Sequence, residues 1–252
     1  MKRMFRIEFK RGLHSVNIYL GVVLLSIATF IGATEIIAFF REYGEIQGEV
    51  RCISFLYQIT YSKMFYYVLP VCCTFAMSGS YLEDLQTGIY KYILVRTTVQ
   101  SYQWSKILNC IVYGILTIFL ALILIFAGSI AVFPINSEEI IILHTLGKEY
   151  YIPILTRVVL VFLNASFYSL FGAVLAVATN NRYMAYAAPF IFFYVMDTLS
   201  GAYLSEYPIL NPREWLDATK LNPNICLIIT ILANVIMIFI YAWQMTRGEY
   251  SE

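Results

Sequence analysis

Residues Ile107–Phe133 read ILNCIVYGILTIFLALILIFAGSIAVF, 27 residues without one Asp, Glu, Lys, Arg or His. As an α-helix at about 1.5 Å per residue this stretch is about 40 Å long, more than the ~30 Å hydrocarbon core of a bilayer. A run of that length and composition is expected to cross a membrane. Working outward, five more apolar runs follow the same reading: Asn17–Phe40, Met64–Tyr81, Ile154–Thr179, Met184–Leu199 and Asn224–Trp243. All but Met184–Leu199 reach about 18 residues, the usual spanning length. The exception contains Pro189, which a membrane helix tolerates where neighbouring groups satisfy the freed carbonyl. The fold expected is all-α and polytopic: six transmembrane helices in a single transmembrane domain covering 1–252, with both termini on one side.

Composition agrees. The chain is 60% hydrophobic and 13% charged, against roughly 45–50% and about 25% in soluble domains. Too little polar sequence is left for a separate soluble catalytic domain. The net charge of +1 excludes the basic footprint of a nucleic-acid binder. Of five cysteines, Cys72, Cys73, Cys110 and Cys226 lie in apolar runs, and no C-x-x-C pair occurs. Cys52 sits in a polar stretch assigned to the outside, where an impermeant thiol reagent is expected to label it.

Charge sets the orientation. Lys2, Arg3, Arg6, Lys10 and Arg11 crowd the first residues, interleaved with Met1, Met4, Phe5, Ile7 and Phe9. That mixture suits a helix lying in the headgroup region of an anionic leaflet, or a plain positive flank to the first span. Segments 1–16, 82–106, 180–183 and 244–252 hold ten of the 17 Lys and Arg residues. By the positive-inside rule both termini are then cytoplasmic. Tyr66, Tyr67, Tyr81, Tyr102, Trp104, Tyr150, Tyr151, Tyr241 and Trp243 fall near span ends, as interfacial anchors do.

Catalytic patterns are sparse. No G-x-x-x-x-G-K-[ST] is present, so the chain has no P-loop with which to hold ATP. His14 and His144 are the two histidines, assigned to opposite sides of the membrane. Glu138, Glu139 and His144 are the residues on which an alternative reading, a membrane-embedded protease, rests. A non-transporting membrane scaffold or sensor partner is a further alternative.

Inside the membrane, Asp197 and Arg157 are candidates for a pathway or gate and for a mutual ion pair. Asp197 is also, and more simply, read as an interfacial acid capping the segment that follows it. Asn164 and Asn234 are amides placed to hydrogen-bond between helices. Ala165, Ser169 and Ala173 recur every four residues beside Gly172 and Ala176, a small-residue stripe suited to close packing.

The loop Tyr81–Arg96 mixes charge with Leu82, Leu85, Ile89 and Tyr92 or Ile93 on one helical face, so a short amphipathic helix is expected there. Its charged face is free to meet a partner.

Within Phe75–Lys106, Glu83, Thr87-Gly88, Lys91, Ile93-Leu94, Arg96 and Ser105-Lys106 stand in an order that resembles type-2 ABC transporter permeases, the membrane-spanning subunits of ABC exporters. Thr-Gly replaces the family's usual Gly-Thr, and Thr97 stands where proline is common. The layout of basic N-terminal helix, six spans and a longer segment Ser200–Pro223 before the last is similar to the family plan. The resemblance implies a cytoplasmic coupling helix carrying Glu83, Asp84, Thr87, Gly88, Lys91 and Arg96, docked on a separate ABC ATPase subunit. It implies ATP and Mg on that partner with no cofactor in this chain, and a second permease subunit, identical or related. It also implies export of an amphipathic or hydrophobic load, such as a peptide, toxin, drug or lipid-linked molecule, with antimicrobial peptides a leading class. The setting implied is a bacterial cytoplasmic membrane.

Overall fold

In hydrocarbon a backbone must close its hydrogen bonds within its own segment, which makes the α-helix the default for apolar runs. The computed structural model describes residues 2–43, 51–133, 148–204 and 206–250, and every regular element among them is helical. In chain order these are α1 (Lys2–Leu13), α2 (Val16–Tyr43), α3 (Arg51–Ile59), α4 (Lys63–Thr74), α5 (Ser80–Gln86), α6 (Ile89–Leu94), α7 (Val99–Val132), α8 (Lys148–Thr179), α9 (Met184–Ala202), a 3-10 turn (Pro208–Leu210), α10 (Pro212–Asp217) and α11 (Pro223–Tyr250).

Four helices are long and apolar enough to cross a membrane, over Val16–Ala38, Val99–Val132, Tyr151–Thr179 and Pro223–Arg247. They mark the chain as an all-helical membrane protein. The second and fifth apolar runs take shorter forms. Run 64–81 is not one helix: α4 ends at Thr74 after 12 residues, about 18 Å of rise, and α5 starts at Ser80. Run 184–199 lies in α9, a helix of 19 residues with Pro189 inside it.

Helix α8 is the hub, with α4, α7, α9 and α11 packed around it. Its small-residue stripe explains the closeness. A Cβ on Gly114 of α7 would lie 2.8 Å from the Ala165 carbonyl oxygen, and one on Gly172 would overlap the Ala185 carbonyl oxygen of α9. Of the spanning window of α8, 67% is buried inside the molecule, against 22% for α11. The exposed remainder of α11 includes Ile228, Leu232, Ile236 and Phe239, apolar side chains that suit lipid.

Helix α1 rests on α7. Met4 is buried, the Tyr113 hydroxyl donates to the Phe9 carbonyl, and Gly12 leaves room for the Tyr113 ring. Several expected interfacial anchors instead build the core. Tyr81 packs edge-on against Tyr90 and Tyr241, with ring centroids 6.1 Å apart in each pair, and Tyr66 and Tyr102 are buried as well. Trp104, Tyr151 and Trp243 remain exposed. Cys52 is fully buried on α3, its thiol 3.4 Å from the Ser129 hydroxyl of α7, so it does not stand open to a surface reagent.

Candidate functional site

Segments 1–16, 82–106 and 180–183 meet at one end of the bundle, and their charges join in one network. On α1, Glu8 and Arg11 are three residues apart and share a face. On α7, Tyr102 and Lys106 do the same at a spacing of four. Both faces converge on α5. Lys106 Nζ lies 2.9 Å from Glu8 Oε2 and 2.6 Å from Asp84 Oδ2, with all three side chains essentially excluded from solvent. Arg11 Nη1 lies 2.6 Å from Asp84 Oδ1, and the Tyr102 hydroxyl donates to Asp84 Oδ2 at 2.8 Å. Glu83 forms the outer edge, 3.3 Å from Arg11 and 3.4 Å from Arg182 of the α8–α9 turn. Three acids face three bases, so the cluster is neutral. Burial alone would raise the Asp84 pKa, but Lys106 and Arg11 outweigh it and hold the carboxyl below its ordinary value.

The expected amphipathic helix over Glu83–Arg96 is broken in two. Gly88 adopts φ +74°, a left-handed conformation that glycine enters without a Cβ penalty, and turns the chain from α5 into α6. The Thr87 hydroxyl ties down the end of α5 by donating to the Glu83 carbonyl at 2.8 Å. The elbow divides the six residues that the resemblance implies for a coupling helix. Asp84 turns inward, so its charge is spent on α1 and α7 and does not contribute to an outer face. Lys91 on α6 and Arg96 just past its end are exposed, beside Tyr92 and Val95 at 78% and 87% exposure. Between α1 and α6 runs an open groove of about 730 Å³ lined by Met4, Ile7, Ile89, Ile93 and Arg96 among others.

On α1, Arg6 and Lys10 are exposed and Arg11 reaches Asp84; Lys2 and Arg3 belong to the same helix. Interfacial placement of α1 is thus compatible with its second task, which is to brace α5.

At the opposite end Arg157 is 4% exposed and fully engaged. It donates to the carbonyls of Leu216 and Thr60, the latter at 2.7 Å, pairs with Asp217 at 2.9 Å, and stacks on the Tyr61 ring at 4.2 Å. The expected Arg157–Asp197 pair is therefore replaced by Arg157–Asp217. Asp197 accepts from the Tyr67 hydroxyl at 3.1 Å instead. Helix α10, capped by Asn211 and started by Pro212, is what delivers Asp217 to Arg157. Asn164 donates to the Trp215 carbonyl at 3.3 Å, and Asn234 links α11 to α8 by accepting from Ser166 and donating to Leu163. Arg157 and Asn164 both hold α10 against α8, whereas Asp197 bonds α4 and Asn234 joins α11 to α8.

Glu138, Glu139 and His144 lie outside the described residues. No group of three or more metal-ligating side chains occurs among those described. Glu8, Lys106, Arg182 and Asp217 are charge partners that spacing along the chain does not reveal. The available signal for Glu8 was its isolation as the sole acid in the first 34 residues. No family model matches the chain, and no curated protein matches it.

Proposed function

We propose that the chain is the membrane-spanning permease subunit of an ABC transporter that exports an amphipathic or hydrophobic substrate. The observation that supports this best is the α5–α6 elbow. It presents exposed apolar side chains at Ile89, Tyr92 and Val95 beside Lys91 and Arg96, on a base bolted to α1 and α7 by buried charge. Exposed aromatic and aliphatic anchors with a cationic rim suit a protein partner. In this reading the partner is a separate ATPase subunit that binds ATP and Mg, and the elbow is its docking element on the cytoplasmic side.

Force applied at α6 reaches α5, and the Lys106–Asp84–Arg11 bonds pass it to α7 and α1 together. Rigid-body reorientation of the spans is the response such coupling favours. A second permease subunit, identical or related, would cover part of the apolar surface left by α9 and α11. The six-span count, with α4 and α9 completing the set, the interfacial α1, the N-in and C-in orientation and the bacterial cytoplasmic membrane belong to the same proposal.

The test is affinity purification of the tagged full chain from its native membranes. A P-loop ATPase is expected to be retained, and Tyr92→Asp with Val95→Asp to reduce retention at least about tenfold, given the about 2 kcal/mol typical of a central anchor. Failure to retain such an ATPase, or full retention by the double variant, refutes the reading.

A further inference from the structure

A second, smaller cavity lies beside the charge cluster. Its volume is about 60 Å³, several times the roughly 10–15 Å³ that one water needs. Arg11, Arg182, Glu83, Ser15, Asn17 and Ser80 supply its polar wall. Ser80 is 6% exposed, and its hydroxyl has no hydrogen-bond partner among the described residues. Buried hydroxyls are rarely left in that state, so a missing acceptor is expected. Helix α2 begins its apolar course at Val16, which puts Ser15 and Asn17, and with them the cavity, at the polar edge of the membrane.

The geometry points to a binding site for a phosphate oxyanion between Arg11, Arg182 and Ser80. Two guanidinium groups already converge there on one carboxylate, that of Glu83. Their distances to it, 3.3 and 3.4 Å, are long for charge-assisted bonds, and Glu83 is 36% exposed, free to swing into water. Arg11 keeps Nη1 on Asp84 and gives Nη2 to Glu83, which lines the cavity with it. A phosphodiester carries one negative charge, the same as the carboxylate it would displace, so the exchange leaves the cluster neutral. Its non-bridging oxygens accept from both arginines and from the Ser80 hydroxyl, which Glu83 leaves unsatisfied. Glu83 is then a built-in competitor, released when the oxyanion arrives. The site needs the membrane edge but not the transport reading.

The oxyanion has two available sources, a lipid headgroup and free phosphate. The test is equilibrium binding to the purified, delipidated full chain in neutral detergent. The probes are a short-chain phosphatidylglycerol and inorganic phosphate, each against sodium chloride of equal ionic strength. Saturable binding of the lipid at lower concentration supports the site and assigns it to headgroups; preference for inorganic phosphate supports it and assigns it to the free anion. Arg182→Gln and Ser80→Ala are expected to weaken binding about tenfold and severalfold respectively, as lost charged and neutral hydrogen bonds do. Glu83→Gln is expected to tighten it by about tenfold, and Glu206→Gln, an exposed acid remote from the cavity, to leave it unchanged. No saturable binding of either probe, or equal effects of Glu83→Gln and Glu206→Gln, would overturn the proposal.

Discussion

Replacing Lys106 with methionine tests whether buried charge holds α1, α5 and α7 together. The ammonium has no exposed surface and serves Glu8 at 2.9 Å and Asp84 at 2.6 Å. Methionine fills similar space without charge. Asp84 keeps Arg11 and the Tyr102 hydroxyl, so most of the cost falls on Glu8, left without its ion partner at 3% exposure. Removing one partner of a buried pair costs about 3–5 kcal/mol. For a chain of this size about 2–4 °C per kcal/mol applies, so the thermal midpoint is expected to fall by about 6–20 °C. The assay is thermal unfolding of the purified full chain in one detergent at pH 7. The control is the Glu8→Gln, Lys106→Met double variant, which removes the stranded acid and is expected to recover at least half of the loss. A fall under about 2 °C for Lys106→Met, or a double variant no more stable than the single, would refute the idea that this pair braces the elbow.

Three further outcomes are expected. The Asp84 pKa is depressed in the folded state, so its stabilisation is fully present above the unfolded value of about 3.9 and is lost as pH falls through the lower folded value; in an acid titration, Asp84→Asn should be less stable at pH 7 yet lack that acid-limb loss. Gly172→Ala forces a methyl into the Ala185 carbonyl, and the resulting separation of α8 from α9 should cost about 1–3 kcal/mol by unfolding, whereas Gly201→Ala, with open space around it, should cost less than that. Cys52 is fully buried, so an impermeant maleimide should leave it unmodified in intact cells and in permeabilised ones alike, and modify it after denaturation.

Much of the secondary structure was legible because lipid makes apolar length a direct signal for helix. The runs near 17–40, 107–133, 154–179 and 224–243 all reappear as long helices, and the basic first residues form α1. The run at 64–81 is divided between two helices, because hydropathy does not register where a helix stops. Ser62 caps α4 at its start, and the chain leaves the helix after Thr74 although Phe75, Ala76 and Met77 continue the apolar run. Tyrosines near span ends read as anchors, yet Tyr81, Tyr102 and Tyr241 turn toward one another because their helices rotate them inward.

That this chain is helical and membrane-embedded follows from composition alone, since 27 uncharged residues have no better home than hydrocarbon. The order of residues also sets which segments carry the scarce charge. How those charges pair is a matter of three-dimensional packing. Glu8 and Lys106 are 98 residues apart, and Arg157 meets Asp217 across 60 residues while Asp197 goes to Tyr67. Such choices depend on the rotation and depth of each helix, and these are settled by close contacts such as Gly114 on Ala165 rather than by any local pattern. A buried ion needs its partner within about 4 Å, a tolerance no reading of spacing along the chain can reach.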